Sequence, residues 1–220
     1  EQDRGKQDTI AAFAASAASI ADWGKNALIF AGSNNAGTTT VTLSGGFTSS
    51  QGGNTLIGGS GMTSVMLGNV TTNGTVLGSG HNVVLGGSGA LSVSDSGFND
   101  TVAALNASSA TIQAFGQSGL FFGGAGDLTA SIGGGKSTVP ATNNTILGGS
   151  GATSVVSAGD NAAVLGGTGG TLTFTQTNGS ADTVAAFGAA SATINLNNDG
   201  SGPGDLVFGG SGTFIVNVQD

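Results

Sequence analysis

The chain has 220 residues, of which 43 are glycine and none is cysteine, with 7 % charged residues and a formal charge of −8. Its four cations, Arg4, Lys6, Lys25 and Lys136, are too few and too scattered to release counterions from a phosphate backbone, so nucleic acid is excluded as a partner and anionic membrane surfaces are disfavoured. Lack of cysteine rules out a disulfide framework and thiolate metal sites, and no apolar run reaches the ~18 residues needed to span a bilayer. Glycine richness with few charges would suit a disordered chain, but 38 % hydrophobic residues in short alternating runs can bury enough surface to fold.

In chain order, the first element is Asp8-Thr-Ile-Ala-Ala-Phe-Ala-Ala-Ser-Ala-Ala-Ser-Ile20. Alone it reads as an alanine-rich helix or a signal peptide. It recurs, however, as Asp100-Thr-Val-Ala-Ala-Leu-Asn-Ala-Ser-Ser-Ala-Thr-Ile112 and Asp182-Thr-Val-Ala-Ala-Phe-Gly-Ala-Ala-Ser-Ala-Thr-Ile194, where Gly188 and the Thr-Ile steps favour strand–turn–strand. Between these long units lies a shorter one, an aliphatic run entering a glycine corner. It appears as Thr55-Leu-Ile-Gly-Gly-Ser-Gly61, Val83-Val-Leu-Gly-Gly-Ser-Gly89, Leu120-Phe-Phe-Gly-Gly-Ala-Gly126, Thr145-Ile-Leu-Gly-Gly-Ser-Gly151, Ala163-Val-Leu-Gly-Gly-Thr-Gly169 and Leu206-Val-Phe-Gly-Gly-Ser-Gly212. With Ala27-Leu-Ile-Phe30 and the three Asp-Thr copies, about ten coils are expected, with repeats starting near 8, 100 and 182 in one domain over 1–220.

Uninterrupted coils are 18 to 20 residues apart, as from Val84 to Val102 or Val164 to Val184; longer gaps, such as Leu28 to Leu56, are expected to hold bulging loops. After each corner comes an alternating run such as Thr40-Val-Thr-Leu43, Leu172-Thr-Phe-Thr175 or Phe214-Ile-Val-Asn-Val218, whose period of two turns apolar residues inward and Thr, Ser or Asn outward. One coil cannot bury its inner face, whereas stacked coils pair edge to edge over a continuous core. The expected fold is therefore an all-β parallel β-solenoid, with coils of 18 to 28 residues, two principal sheets and right-handed crossovers. The Gly-Gly-x-Gly corners are expected to supply positive φ angles at places where side chains would clash.

Gly-Gly-x-Gly followed by a short alternating strand resembles the RTX repeat of bacterial secreted proteins, and more closely the degenerate repeats of bacterial "beta strand repeat" surface proteins. The resemblance implies an extracellular, bacterial surface location and, for RTX, calcium held by an Asp two residues after the last glycine. Here that position is Thr63, Leu91, Leu128, Thr153, Thr171 and Phe214, so the calcium carboxylates are missing. Asp100, Asp182 and Asp205 remain as weak calcium candidates, each expected instead to hydrogen-bond its own local backbone at the start of a strand. No other cofactor is expected.

Catalysis is not expected. The single Glu is Glu1, the Asp residues are scattered, and His81 is the only histidine, so a polysaccharide-active β-helix enzyme lacks its paired carboxylates. Gly133-Gly-Gly-Lys-Ser-Thr138 imitates the end of a phosphate-binding loop but has Ala130 where that motif needs glycine. Trp23 reads as a packing cap. Ice binding would need regular outward Thr rows, which the insertions are expected to interrupt. The favoured function is a structural subunit that stacks end to end with copies of itself into a surface fibre or biofilm matrix filament; a fragment of a longer RTX-like adhesin is the alternative. The expected assembly residues are Arg4, Lys6, Phe214, Ile215, Val216, Val218 and Asp220, because the short segment before the first repeat and the final strand make poor caps.

Overall fold

A computed structural model of the chain describes residues 2–3, 6–13, 16–32, 37–44, 51–72, 75–133, 141–197 and 202–219. Within them every regular element is a strand, and the fold is a parallel β-solenoid. The first repeat, helix-like in composition, forms the strands Thr9–Ala11 and Ala17–Asp22. Each coil contributes one short and one long strand. The short strands form a ten-stranded parallel sheet, from Thr9–Ala11 through Val83–Leu85 and Leu120–Phe122 to Leu206–Phe208. The long strands, among them Thr38–Ser44, Leu91–Asp95, Thr171–Gln176 and Thr213–Gln219, make up the other sheet.

Register follows the repeat spacing. Val84 pairs with Val102, Val102 with Phe121, Ile146 with Val164 and Val164 with Val184. These middle residues of the short strands form one inward column, in which Ile29, Leu56, Val84, Val102, Phe121 and Ile146 are wholly buried. Across the core they meet the inward parity of the long strands, including Val41, Leu43, Val93, Ile112, Phe174 and Ile194. Full burial of such a side chain stabilises by about 1.5–3 kcal/mol, and a column of them outweighs the ordering of a glycine-rich backbone only because every coil adds another.

Two expectations need correction. The bulge before Val84 contains a hairpin: Met62–Thr72 runs past the sheet and pairs antiparallel with Thr75–Gly80, while Gln51–Gly52 adds to its far edge. The Gly-Gly-x-Gly corners, Gly169 excepted, do not use positive φ. Their glycines are required by stacking. A Cβ on Gly59 would strike the Gly32 carbonyl oxygen of the preceding coil, and one on Gly149 or Gly167 would strike that of Gly124 or Gly149. Apart from Leu105, the described residues other than glycine that have positive φ lie at the opposite corner, where Gln7, Asn26, His81, Asn99, Ser118, Asn143, Asn161 and Ala181 adopt φ of 54 to 62°. There each N–H donates to the next coil's carbonyl, such as Asn99 to Gln117 and Asn143 to Asp160, and that bond holds residues other than glycine in the left-handed region.

Candidate functional site: the aspartate corner and the last coil

The residue following each left-handed one opens a short strand. Asn54, Asn82, Asp100, Asn144, Asp182 and Asp205 stand just before the short strands of their coils and link neighbouring coils in three runs. The side-chain Oδ1 of each accepts a backbone N–H from the preceding coil: Ala27 to Asn54 (2.9 Å), Asn54 to Asn82 (3.2 Å), Asn82 to Asp100 (2.8 Å), Gly119 to Asn144 (2.9 Å), Ala162 to Asp182 (2.8 Å) and Asp182 to Asp205 (2.9 Å). The expected bond to the residue's own local backbone is thus replaced by a bond between coils. A corner N–H lies beyond the reach of the sheet ladder, and an unpaired one buried here would cost about 1–3 kcal/mol. In each calcium candidate Oδ1 is thus already an acceptor, while Oδ2 of Asp100 and of Asp182 has no donor. Asp205 Oδ1 also accepts from Gln176 Nε2 at 3.1 Å. Among the described residues no three His, Asp or Glu side chains converge to hold a metal.

One coil places a second carboxyl beside these links. Asp95 ends Leu91–Asp95 with inward parity and accepts the Gly97 N–H at 2.7 Å. It lies against Asp100, and both are buried, at 1 % and 0 % exposure. Burial first, and then the Asp95 charge, push Asp100 up to about 8, and burial likewise raises Asp95 above the ordinary carboxylate range. Asp100 Oδ2 has no hydrogen-bond donor, and burial beside Asp95 favours the protonated Asp100 carboxyl. Burial pushes Asp182 up to about 6; the Asp205 charge adds to the effect, and the Ala162 N–H opposes it. Sequence reasoning passed over Asp95, although Leu91, Val93 and Asp95 share a parity and its inward direction was legible.

His81 is exposed at a left-handed corner, edge-on to Phe98 at 5.6 Å. Trp23 is half-buried just after Ala17–Asp22. Lys136 and most of its glycine-rich loop, like Arg4 and Asp220, lie outside the described residues. Outward on the long sheet, Ser19, Thr40, Ser64, Ser92, Thr111, Thr129, Ser154, Thr173 and Thr193 follow one another in register, and Ile215 ends the row. The expectation that insertions interrupt the hydroxyl rows is corrected for this column, since the insertions leave the sheet at its corners.

At the last described coil, Thr213–Gln219 pairs with Ser191–Asn197 along one edge, and no strand among the described residues pairs with the other. Phe214, Val216 and Val218 continue the inward columns of Ala192, Ile194 and Leu196. Phe214 packs against the core, but Val216 is 39 % and Val218 61 % exposed, as is outward Ile215 at 49 %. At the opposite end Gln2–Asp3 pairs with Ala21 and Asp22, so strand structure begins before the first repeat, and exposed Lys6 bridges to Lys25. No helix among the described residues is long and apolar enough to cross a membrane. No family model, curated protein or solved structure matches the chain, so the likeness to RTX and beta strand repeats rests on its repeat residues alone.

Proposed function

We propose that the chain is a non-catalytic structural element outside a bacterial cell, a subunit that stacks end to end with copies of itself into a surface fibre or matrix filament. The observation that supports this reading is the coil of Thr213–Gln219, where Val216 and Val218 keep inward parity and yet are exposed beside a strand edge that no strand among the described residues pairs. An added coil would cover both side chains and continue both sheets, and an open strand edge is a template for such pairing. The same surface would accept further coils of a longer adhesin, and the two readings differ in what the isolated chain does. Electron microscopy of the purified chain is expected to show filaments with an axial repeat of roughly 45–50 Å, ten rungs at ~4.8 Å each. A chain that stays single at high concentration would overturn the fibre.

The adhesin alternative carries residual calcium binding at Asp100, Asp182 and Asp205. Their Oδ1 atoms already accept backbone N–H groups. A chelator is therefore expected to leave the thermal midpoint unchanged, and a drop of about ten degrees or more on chelation would restore the calcium reading.

A further inference from the structure

The outer surface of the short sheet repeats every four rungs. Ala11, Ala103 and Ala185 end the first, fifth and ninth strands, and Phe30, Phe122 and Phe208 stand beside them in register on the next. Ile or Leu fills this position in the strands between. At the adjoining corner Phe13, Leu105 and Phe187 project at 65, 50 and 57 % exposure. The coils between have glycine at that place, Gly59 and Gly87 in one interval and Gly149 and Gly167 in the next, because a Cβ there would strike the neighbouring backbone. Phe13 lies 5.6 Å from Phe30 and Phe187 5.9 Å from Phe208, so the knobs fuse with the sheet aromatics into ridges. Beside the first ridge runs an open groove of about 330 Å³ with a floor of Ile57, Gly58, Gly59 and Gly87. Ridges thus alternate with glycine hollows at a period of roughly 19 Å, four rungs at ~4.8 Å.

We propose that this face is a lateral interface with a second copy of the chain, laid sheet to sheet and shifted by two rungs so that each copy's ridges sit in the other's hollows. A second copy supplies the same period, which a smooth partner lacks. Charge favours the same occupant. Neither outward position of any of the ten strands is charged in a chain of net charge −8, so like-charge repulsion between copies is small here. The flat part of the face covers on the order of 400–500 Å², as large as the biggest apolar patches of typical monomers and below the ~800 Å² per partner of a standard interface. The pairing is therefore weak and reversible unless many subunits repeat it. It does not depend on end-to-end stacking.

The test is sedimentation equilibrium of the full chain, with electron microscopy of anything larger. The wild type is expected to show twice the single-chain mass, or filaments of paired width. In the triple variant F13K/L105K/F187K, lateral association is expected to weaken by roughly tenfold or more. The corresponding triple Asn variant, which suits the φ of 44° at Leu105, guards against misfolding. Val218→Lys, at the end of the stack, is expected to abolish filaments and leave the pair. Knob variants that associate as tightly as the wild type would overturn the proposal. So would a wild type that stays single at high concentration, and binding of that single chain to neutral lipid vesicles would assign the face to lipid. Paired chains without filaments would reject only the fibre, and single-width filaments unaffected by the knob variants would reject only the lateral interface.

Discussion

Raising the pH from 5 to 9 is expected to destabilise the chain, and Asp100→Asn is expected to remove the part of that loss that Asp100 carries, leaving the parts due to Asp95 and Asp182. The folded state holds Asp100 up to about 8, against an ordinary value of 3.8. Between those two values the unfolded chain has released the proton and the folded chain has not. Stability is therefore fully present below about pH 4, falls as the pH rises, and levels off once Asp100 ionises in the folded state too. Each unit of difference corresponds to about 1.4 kcal/mol, so the loss amounts to several kcal/mol, or on the order of ten degrees in thermal midpoint for a chain of this size. Asp182, pushed up to about 6, adds to it with the same sign between about pH 4 and 6. Asn is a sound probe because the same corner already uses Asn54, Asn82 and Asn144 for the same bond to the preceding coil. Thermal melts across the pH range check it. A slope unchanged by Asp100→Asn would show that Asp100 is not the titrating group.

The second large effect concerns the corner glycines. Gly149→Ala is expected to destabilise by about 3 kcal/mol or more, because its Cβ would lie inside contact distance of the Gly124 carbonyl oxygen, a backbone atom held by both sheets. Gly169→Ala has open space but φ of +83°, and is expected to cost only about 1 kcal/mol, the strain of the left-handed region. Gly204→Ala has neither obstacle and is expected to change stability by less than about 0.5 kcal/mol. Urea melts of the three variants separate steric exclusion from backbone conformation. A loss at Gly149 no larger than that at Gly169 would mean that the neighbouring backbone gives way and steric exclusion does not decide the corner.

The fold was legible because its signal is periodic. The 18-residue step from Val84 to Val102, the inward parity of Phe174 in Leu172-Thr-Phe-Thr175 and the recurrence of Asp-Thr-Val-Ala-Ala each specify a strand and its partner before any contact is known. For the same reason the first repeat came out as strand despite its alanines, since two sister copies constrained it.

What one coil does to the next could not be read along the chain. Corner glycines look alike in sequence whether they supply φ or make room, and only the neighbouring carbonyl oxygens distinguish the two. Asp100 was noticed as a strand opener, but its bond to Asn82 spans 18 residues, and its burial against Asp95 needs the corner to close. Likewise Phe13, Leu105 and Phe187 are visible as a motif, while their projection over glycine hollows depends on coils of unequal length stacking in register. Periodicity along the chain thus determined the strands and their pairing. Stacking alone decided which polar groups are desolvated and which apolar ones reach solvent, since desolvation and steric contact are set by atoms a full coil away.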